Sequence, residues 1–319
     1  GDEASAERTR RRMGEEAPKP VAFPATPLGF TVVLPTWRLG GLDVTLDALE
    51  KQTCKDFEVI LVDALYRWRS EAIKERLSKY SFPIVHVPVD DDVFPLSSHS
   101  RFRNTAIRRA RGKRLMFFGD YAAPAPDLLE RHVGLPGDTI GFSTWVRTII
   151  PHDIIECPLG LSVWDVIEKA QRGEYLWSTF KPGVDPLAAA IKHETDNHLV
   201  PSFFPTDLSA PGVQVSAKHY LGHWKADSAP TALVREINGW DEEYDGRGDQ
   251  ADSDFCLRML WRGAKVRLVN TLVRVLDAHD ISVAPISDVS RGNYTRFLNV
   301  QEAHMYRCVH GLTRGIVND

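Results

Sequence analysis

The chain has 319 residues, 43% hydrophobic and 26% charged, with a formal net charge of −4 at pH 7. That is the composition of an ordinary globular protein, long enough to bury a large core without disulfides or structural metals, and it disfavours both a disordered chain and a general nucleic-acid binder. The four cysteines, Cys54, Cys157, Cys256 and Cys308, show no zinc-ribbon or redox spacing, so reduced thiols of an intracellular protein are expected.

Residues 1–28 alternate in charge, contain the basic run Arg8–Arg12 and four prolines, and read as a disordered tail. Order is expected from Phe30-Thr-Val-Val-Leu-Pro35, an apolar run closed by proline that suits a buried parallel strand. Leu42, Leu46 and Leu49 follow at helical spacing, and Phe57–Asp63 is a second apolar run. Arg69–Tyr80 reads as a helix, Pro83–Val87 as a strand, Ser98–Arg111 as a helix and Arg114–Phe118 as a fourth strand. This alternation predicts an α/β fold, a mostly parallel sheet with helices on both faces.

Ligands of such sheets bind beyond the carboxyl ends of the strands. Pro35, Thr36 and Trp37, then Asp63, then Gly119–Tyr121 occupy three such ends, so one crevice is expected there. No G-x-G-x-x-G follows the first strand, which argues against a dinucleotide-binding domain. The second half is less regular. A helix is expected near Val163–Gln171, then Pro- and Phe-rich sequence up to residue 211 that suits acceptor-facing or lid material, a regular stretch at Thr231–Glu236, a helix at Asp252–Arg262, a strand at Ala264–Val269 and a last helix at Tyr294–Val309. No apolar run is long enough to span a bilayer and no signal-peptide pattern opens the sequence, so a cytoplasmic protein with no transmembrane segment is expected.

Three segments, in order, resemble the family-2 glycosyltransferases, with a C-terminal part similar to the β-galactosyltransferases. They are Val32-Val-Leu-Pro-Thr36 … Leu46 … Leu49-Glu-Lys-Gln-Thr53 … Phe57–Asp63; Ser100-Arg-Phe-Arg-Asn-Thr-Ala-Ile107 … Leu115-Met-Phe-Phe118 … Pro126-Asp127; and Ile237-Asn-Gly-Trp-Asp-Glu-Glu-Tyr244 … Gly248 … Asp252-Ser-Asp-Phe-Cys-Leu-Arg258 … Gly263. The resemblance covers about Phe30–Asp280. It implies a GT-A-like single domain at residues 29–283, with a nucleotide-sugar-binding half at 29–145 and an acceptor and catalytic half at 146–283, followed by a C-terminal helical extension at 284–319.

The resemblance, together with the position of these residues in the sequence, suggests roles. Pro35, Thr36, Asp63, Arg101, Arg103 and Asp120 are expected to contact the donor, with Asp63 on the nucleobase and the two arginines on the diphosphate. Asp252 is the expected general base of an inverting transfer, a helix N-cap being the bland alternative. Trp224, Trp240 and Asp241 are expected on the acceptor side, although core packing suits the two rings equally. The family's Asp-x-Asp falls on Gly119-Asp120-Tyr121 and keeps only its central residue, and the Glu-Asp pair becomes Ala251-Asp252. A divalent cation, manganese or magnesium, would rest on Asp120 and His279; without it Arg101, Arg103 or Lys225 must balance the leaving group.

Asp90-Asp-Asp92 precedes a helix start and reads as a solvated loop, and His219 and His223 offer no metal spacing. The expected function is a hexosyltransferase moving a sugar from a nucleotide-sugar donor, UDP-linked by the family's habit, to a hydroxyl acceptor. Glycan, lipid-linked sugar, protein and modified nucleic-acid base all fit as acceptors, and nothing in the sequence specifies an oligomeric state. Two other readings stand beside it. One is a catalytically silent nucleotide- or glycan-binding relative. The other is a nucleotidyltransferase, whose Gly- and Lys-rich phosphate loop Thr36-Trp-Arg-Leu-Gly40 matches poorly.

Overall fold

The computed structural model describes residues 28–90, 99–156, 161, 163–197, 202–204, 224–245, 250–277, 308 and 311–312. Its first half alternates strand and helix: β1 (Leu28–Thr36), α1 (Leu42–Glu50), β2 (Phe57–Asp63), α2 (Tyr66–Leu77), β3 (Ile84–Pro88), α3 (His99–Arg109) and β4 (Gly112–Phe118). These strands pair in parallel in the order β3-β2-β1-β4. Every residue of β2 is buried, as a strand covered on both faces requires. Alternate side chains serve opposite faces. Val32, Val59 and Leu61 pack with Leu42, Leu46 and Leu49 of α1, whereas Val33, Ile60 and Val62 pack with Phe102, Ala106 and Ile107 of α3. Each such aliphatic side chain contributes about 1.5–3 kcal/mol by leaving water, so this two-sided core holds the strand ends in fixed register.

The second half contributes β5 (Ala122–Pro124), α4 (Leu128–Val133), β6 (Thr139–Ile149), α5 (Val163–Gln171), α6 (Pro186–Asp196), β7 (Ser202–Phe204), β8 (Ala226–Pro230), α7 (Thr231–Glu236), α8 (Ala251–Trp261) and β9 (Lys265–Asp277). Here the pairing is mixed. β8 lies antiparallel between β4 and β6, β6 runs parallel to β9 with an irregularity at Ser143/Thr144, and β5 and β7 pair antiparallel at the margins. One sheet of nine strands results. The expected division between residues 145 and 146 falls inside β6, and β1 already includes Leu28 of the expected tail.

α5 matches its sequence expectation, and β9 continues well past Val269. β5, β6 and β8 carried no clear signal: β8 is Ala-Asp-Ser-Ala-Pro, with no apolar run, and owes its strand geometry to the two neighbours it joins. The last helix, Tyr294–Val309, lies outside the described residues apart from Cys308. Of the expected extension at 284–319, Cys308, Gly311 and Leu312 are described and close on the Asn238-Gly239 turn. Leu312 N donates to Asn238 O at 2.9 Å, and Asn238 Nδ2 donates to Cys308 O at 2.8 Å.

Candidate active site

The parallel register sets Thr36 beside Asp63, at the carboxyl ends of β1 and β2. Pro35 is half-buried, and Thr36 is buried with its Oγ1 accepting from Arg38 N at 3.4 Å. Asp63 is fully buried. Its Oδ2 accepts from Arg69 Nε at 2.8 Å and meets His86 Nε2 at 2.9 Å, while its Oδ1 accepts from Arg69 Nη2 and Leu65 N, both at 2.8 Å. Burial alone pushes this carboxyl's pKa up, but Arg69 and His86 outweigh it and hold the pKa at about 2. The nucleobase expectation is therefore corrected: Asp63 is an internal anchor with no surface open to a ligand. The arginine that takes it sits in the first turn of α2, six residues on.

Arg69 carries the anchor to the loop after β1, because its Nη1 donates to Arg38 O at 2.6 Å. The Arg38 side chain then reaches the end of β4, where its Nε donates to Asp120 Oδ2 at 2.9 Å. Beside Asp120, Tyr121 adopts φ +63° and turns inward, and its hydroxyl is hydrogen bonded to Gly40 O and Thr179 Oγ1. Its ring fills the space over Gly41, where φ is +87° and any Cβ would lie 2.2 Å from the ring.

The opposite wall is built by α3 and α8. Asn104 is buried and ties α3 to the Trp240 turn: its Nδ2 donates to Trp240 O at 2.8 Å and its Oδ1 accepts from Trp240 N at 2.9 Å. Arg101 and Arg103, two residues apart, point in different directions. Arg101 pairs with Glu242 at 3.2 Å, away from the expected diphosphate role. Arg103 lies 4.0 Å from the Trp240 ring centroid and donates to Asp252 Oδ1 at 2.9 Å. The Asp252 side chain stays 33% exposed, and it is not the helix cap, which is Gln250. Asp254, in the same first turn, forms an ion pair with Arg258 at 2.8 Å in which both side chains are 1% exposed.

Trp224 and Trp240 are completely buried. Trp240 stacks on Phe255 at 4.1 Å, and Trp224 meets Phe117, Phe255 and Trp240 edge to face. The acceptor expectation for both rings is corrected to core packing, since no ring face is open to a sugar. Asp241 is buried too, and caps the short 3-10 turn Glu242–Tyr244 by accepting from Glu243 N at 3.1 Å. Asp90 is not a solvated loop residue but is held by Arg108 and Arg109. Asp91, Asp92, His219, His223 and Asp249 lie outside the described residues.

Two further residues stand at the crevice, and a third, Asp227, lies buried behind it. Phe118 pairs with Ala226, so Lys225 lies beside the Asp120 turn, its Nζ 4.9 Å from the Trp145 ring centroid. His99, at the start of α3, is exposed at its surface yet partly desolvated by the surrounding protein. That desolvation, with the Arg103 charge, lowers its pKa, against the opposing charges of Asp252 and Asp120. Asp227, on β8, is buried and accepts from Ser143 N at 3.1 Å; burial, helped by the Asp252 charge, raises its pKa to about 7. Arg38 was within reach of sequence reasoning, as the residue directly after the strand-end tryptophan. Asp227 was not, because nothing in its surroundings marks a strand.

A divalent cation takes oxygen ligands, usually several carboxylates. Asp120 is the one carboxylate of its turn and is bonded to Arg38, Tyr121 faces the interior, and His279 lies outside the described residues. Among the described residues no three His, Cys, Asp or Glu side chains converge. The described residues therefore do not fit a divalent ion at Asp120.

No protein-family model matches the chain, and no curated protein matches it. Solved structures do. GalNAc-T7 with UDP, GalNAc and Mn2+ aligns with a TM-score of 0.54 at 12% identity, over 86% of this chain and 49% of that one. S. aureus TarS 1-349 aligns at 0.44 and 15% identity over 78% of this chain and 60% of that one. Mannosyltransferase PcManGT from Pyrobaculum calidifontis, in complex with GDP-Man and Mn2+, aligns at 0.45 and 14% identity over 95% and 69%. The chain thus spans about half the length of the GalNAc-T7 chain. Among the described residues no helix is long and apolar enough to cross a membrane. The parallel β3-β2-β1-β4 half, its continuation through β8, β6 and β9, and the match to GalNAc-T7 together give this chain the GT-A-like fold of glycosyltransferases.

Proposed function

We propose that the chain is an inverting glycosyltransferase that moves a hexose from a nucleotide-sugar donor, UDP-linked by preference, to a hydroxyl acceptor, with Asp252 as general base. The observation that carries this reading is the placement of Asp252. It is a partly exposed carboxylate on the first turn of α8, held by Arg103, in a crevice shared with Asp120, His99 and Lys225. A carboxylate so held is aimed without being consumed. In the reaction the acceptor oxygen attacks the anomeric carbon, the bond from that carbon to the diphosphate breaks, and the nucleoside diphosphate leaves with the electron pair. Asp252 takes the hydroxyl proton as the attack proceeds. Arg103 fixes the carboxylate's direction, and its own direction is fixed by the Trp240 ring beneath it.

The alternative of a silent binding relative is disfavoured by the same contrast: Asp254 is sealed in an ion pair, while Asp252 is left open. The test needs no acceptor. Purified protein is incubated with UDP- and GDP-linked hexoses, release of nucleoside diphosphate is followed, and the anomer of the freed sugar is read by NMR before it equilibrates. Inversion at the anomeric carbon is expected. Retention would remove the single-displacement mechanism, and failure to turn over any donor, with water or with added acceptors, would favour the silent relative.

A further inference from the structure

Arg38 is held from two sides. Its side chain donates to Asp120 at 2.9 Å and lies 5.0 Å from the Tyr121 ring centroid and 5.6 Å from that of Trp37. Its main-chain carbonyl accepts from Arg69, which is clamped on Asp63 by two bonds of 2.8 Å. One chain of contacts thus runs from the end of β2 through α2 to the loop after β1 and on to the end of β4. A cation braced in this way is positioned before any ligand arrives, so little ordering cost remains at binding. The side chain nonetheless keeps 28% of its surface exposed, at the strand ends where an α/β sheet receives its ligand.

The charge balance of the crevice points the same way. Among the described residues, the cations Arg38, Arg103 and Lys225 gather with the carboxylates Asp120 and Asp252 at this end of the sheet. A guanidinium is charged at every working pH, and its planar fork of donors suits phosphate oxygens.

We propose that Arg38, braced by Asp120, receives the diphosphate of a nucleoside diphosphate, and that binding of this ligand proceeds without a divalent cation. Asp120 is then the brace of an arginine rather than a metal ligand. The inference rests on the glycosyltransferase reading of the crevice and adds to it the residue that meets the leaving group.

The test is calorimetric titration of the purified protein with UDP, UMP, GDP and GMP, first in EDTA and then in manganese. A diphosphate that binds in EDTA more tightly than its monophosphate is expected. Arg38→Ala should weaken the diphosphate roughly 10- to 100-fold, the value of a hydrogen bond to a charged group, and leave the monophosphate unchanged. Arg38→Lys should keep part of the difference. The ratio of the two affinities does not depend on how much of the variant is folded. Diphosphate binding that appears only with manganese or magnesium overturns the inference and leaves the glycosyltransferase reading intact, and so does an unchanged ratio in Arg38→Ala. If no nucleotide binds under either condition, the reading and the inference fall together.

Discussion

Asp252 and Asp254 stand two residues apart at the start of α8, and each meets an arginine at almost the same distance, Arg103 at 2.9 Å and Arg258 at 2.8 Å. The surroundings differ. The Asp254–Arg258 pair is sealed, and Arg258 also donates to the carbonyls of Ile237 and Gly239, so it fastens α8 to the turn that carries Trp240. The Asp252–Arg103 pair opens on the crevice. The same contrast recurs at the parallel end of the sheet, where Asp63–Arg69 is sealed and Asp120–Arg38 is open. In each half of the molecule one ion pair is sealed inside and fastens the backbone, while the other keeps part of its surface in solvent. Residue type and spacing thus do not separate a sealed strut from a carboxylate left open to solvent, whereas the packing around each does.

The largest expected effect is on Asp252. Asp252→Asn should lower donor turnover by about 10²–10⁴-fold, the range of general-base catalysis, at nearly constant donor affinity and melting temperature. Turnover at the wild-type rate would move the base elsewhere on this wall. Asp254→Asn is the counterpart and should behave in the opposite manner. Leaving Arg258 buried without its partner costs about 3–5 kcal/mol, read by denaturant unfolding, and activity per folded molecule should survive. A stable but inactive Asp254→Asn would erase the distinction between the two pairs.

Asp227 sharpens the comparison through pH. Its pKa is raised from 3.8 to about 7, so between those values the native state holds a proton that the unfolded chain has released. Stability should therefore fall as pH rises through that window, by roughly 1.4 kcal/mol per pH unit from this group. Asp227→Asn should flatten this part of the profile, and a difference between variant and wild type that does not change from pH 4 to 7 would show that Asp227 is ionised throughout.

Asp63 has the opposite sign. Its pKa is lowered from 3.8 to about 2, so its contribution is complete above pH 3.8 and is lost as pH falls toward 2. The expected loss is about 2 kcal/mol, the smallest of these effects. Asp63→Asn should remove that acid dependence, at a cost in stability at neutral pH; an unchanged acid limb would mean that the Arg69 pair does not govern it.

Much of the parallel half was legible in the sequence. Phe30–Pro35, Phe57–Asp63 and Arg114–Phe118 are runs of apolar residues because strands covered on both faces need them, and the helix between the first two carries Leu42, Leu46 and Leu49 at helical spacing. The mixed half was less legible, because β6 interleaves serine, threonine and arginine among its apolar residues and β8 has no apolar run. At the site, Asp252 was named from its motif context and lies in the crevice, held by Arg103. Asp63, Trp224, Trp240 and Asp241 were named as well and proved buried, since a motif position says nothing about how much protein closes over it.

Sequence alone determined that this is an α/β chain with a parallel opening half, that three strand ends converge, and that an aspartate opens the helix after the Gly-Trp-Asp-Glu segment. These are local properties, written in periodicity and in neighbouring residues. The tertiary structure decided which carboxylate meets which cation. Arg38 and Asp120 are 82 residues apart, and Arg103 and Asp252 are 149 apart. Such pairs exist only once strand order and register have set the loop after β1 near the end of β4, and α3 against α8. No periodicity encodes that geometry: it follows from how the whole core packs, and the packing decides which charges stay in contact with water.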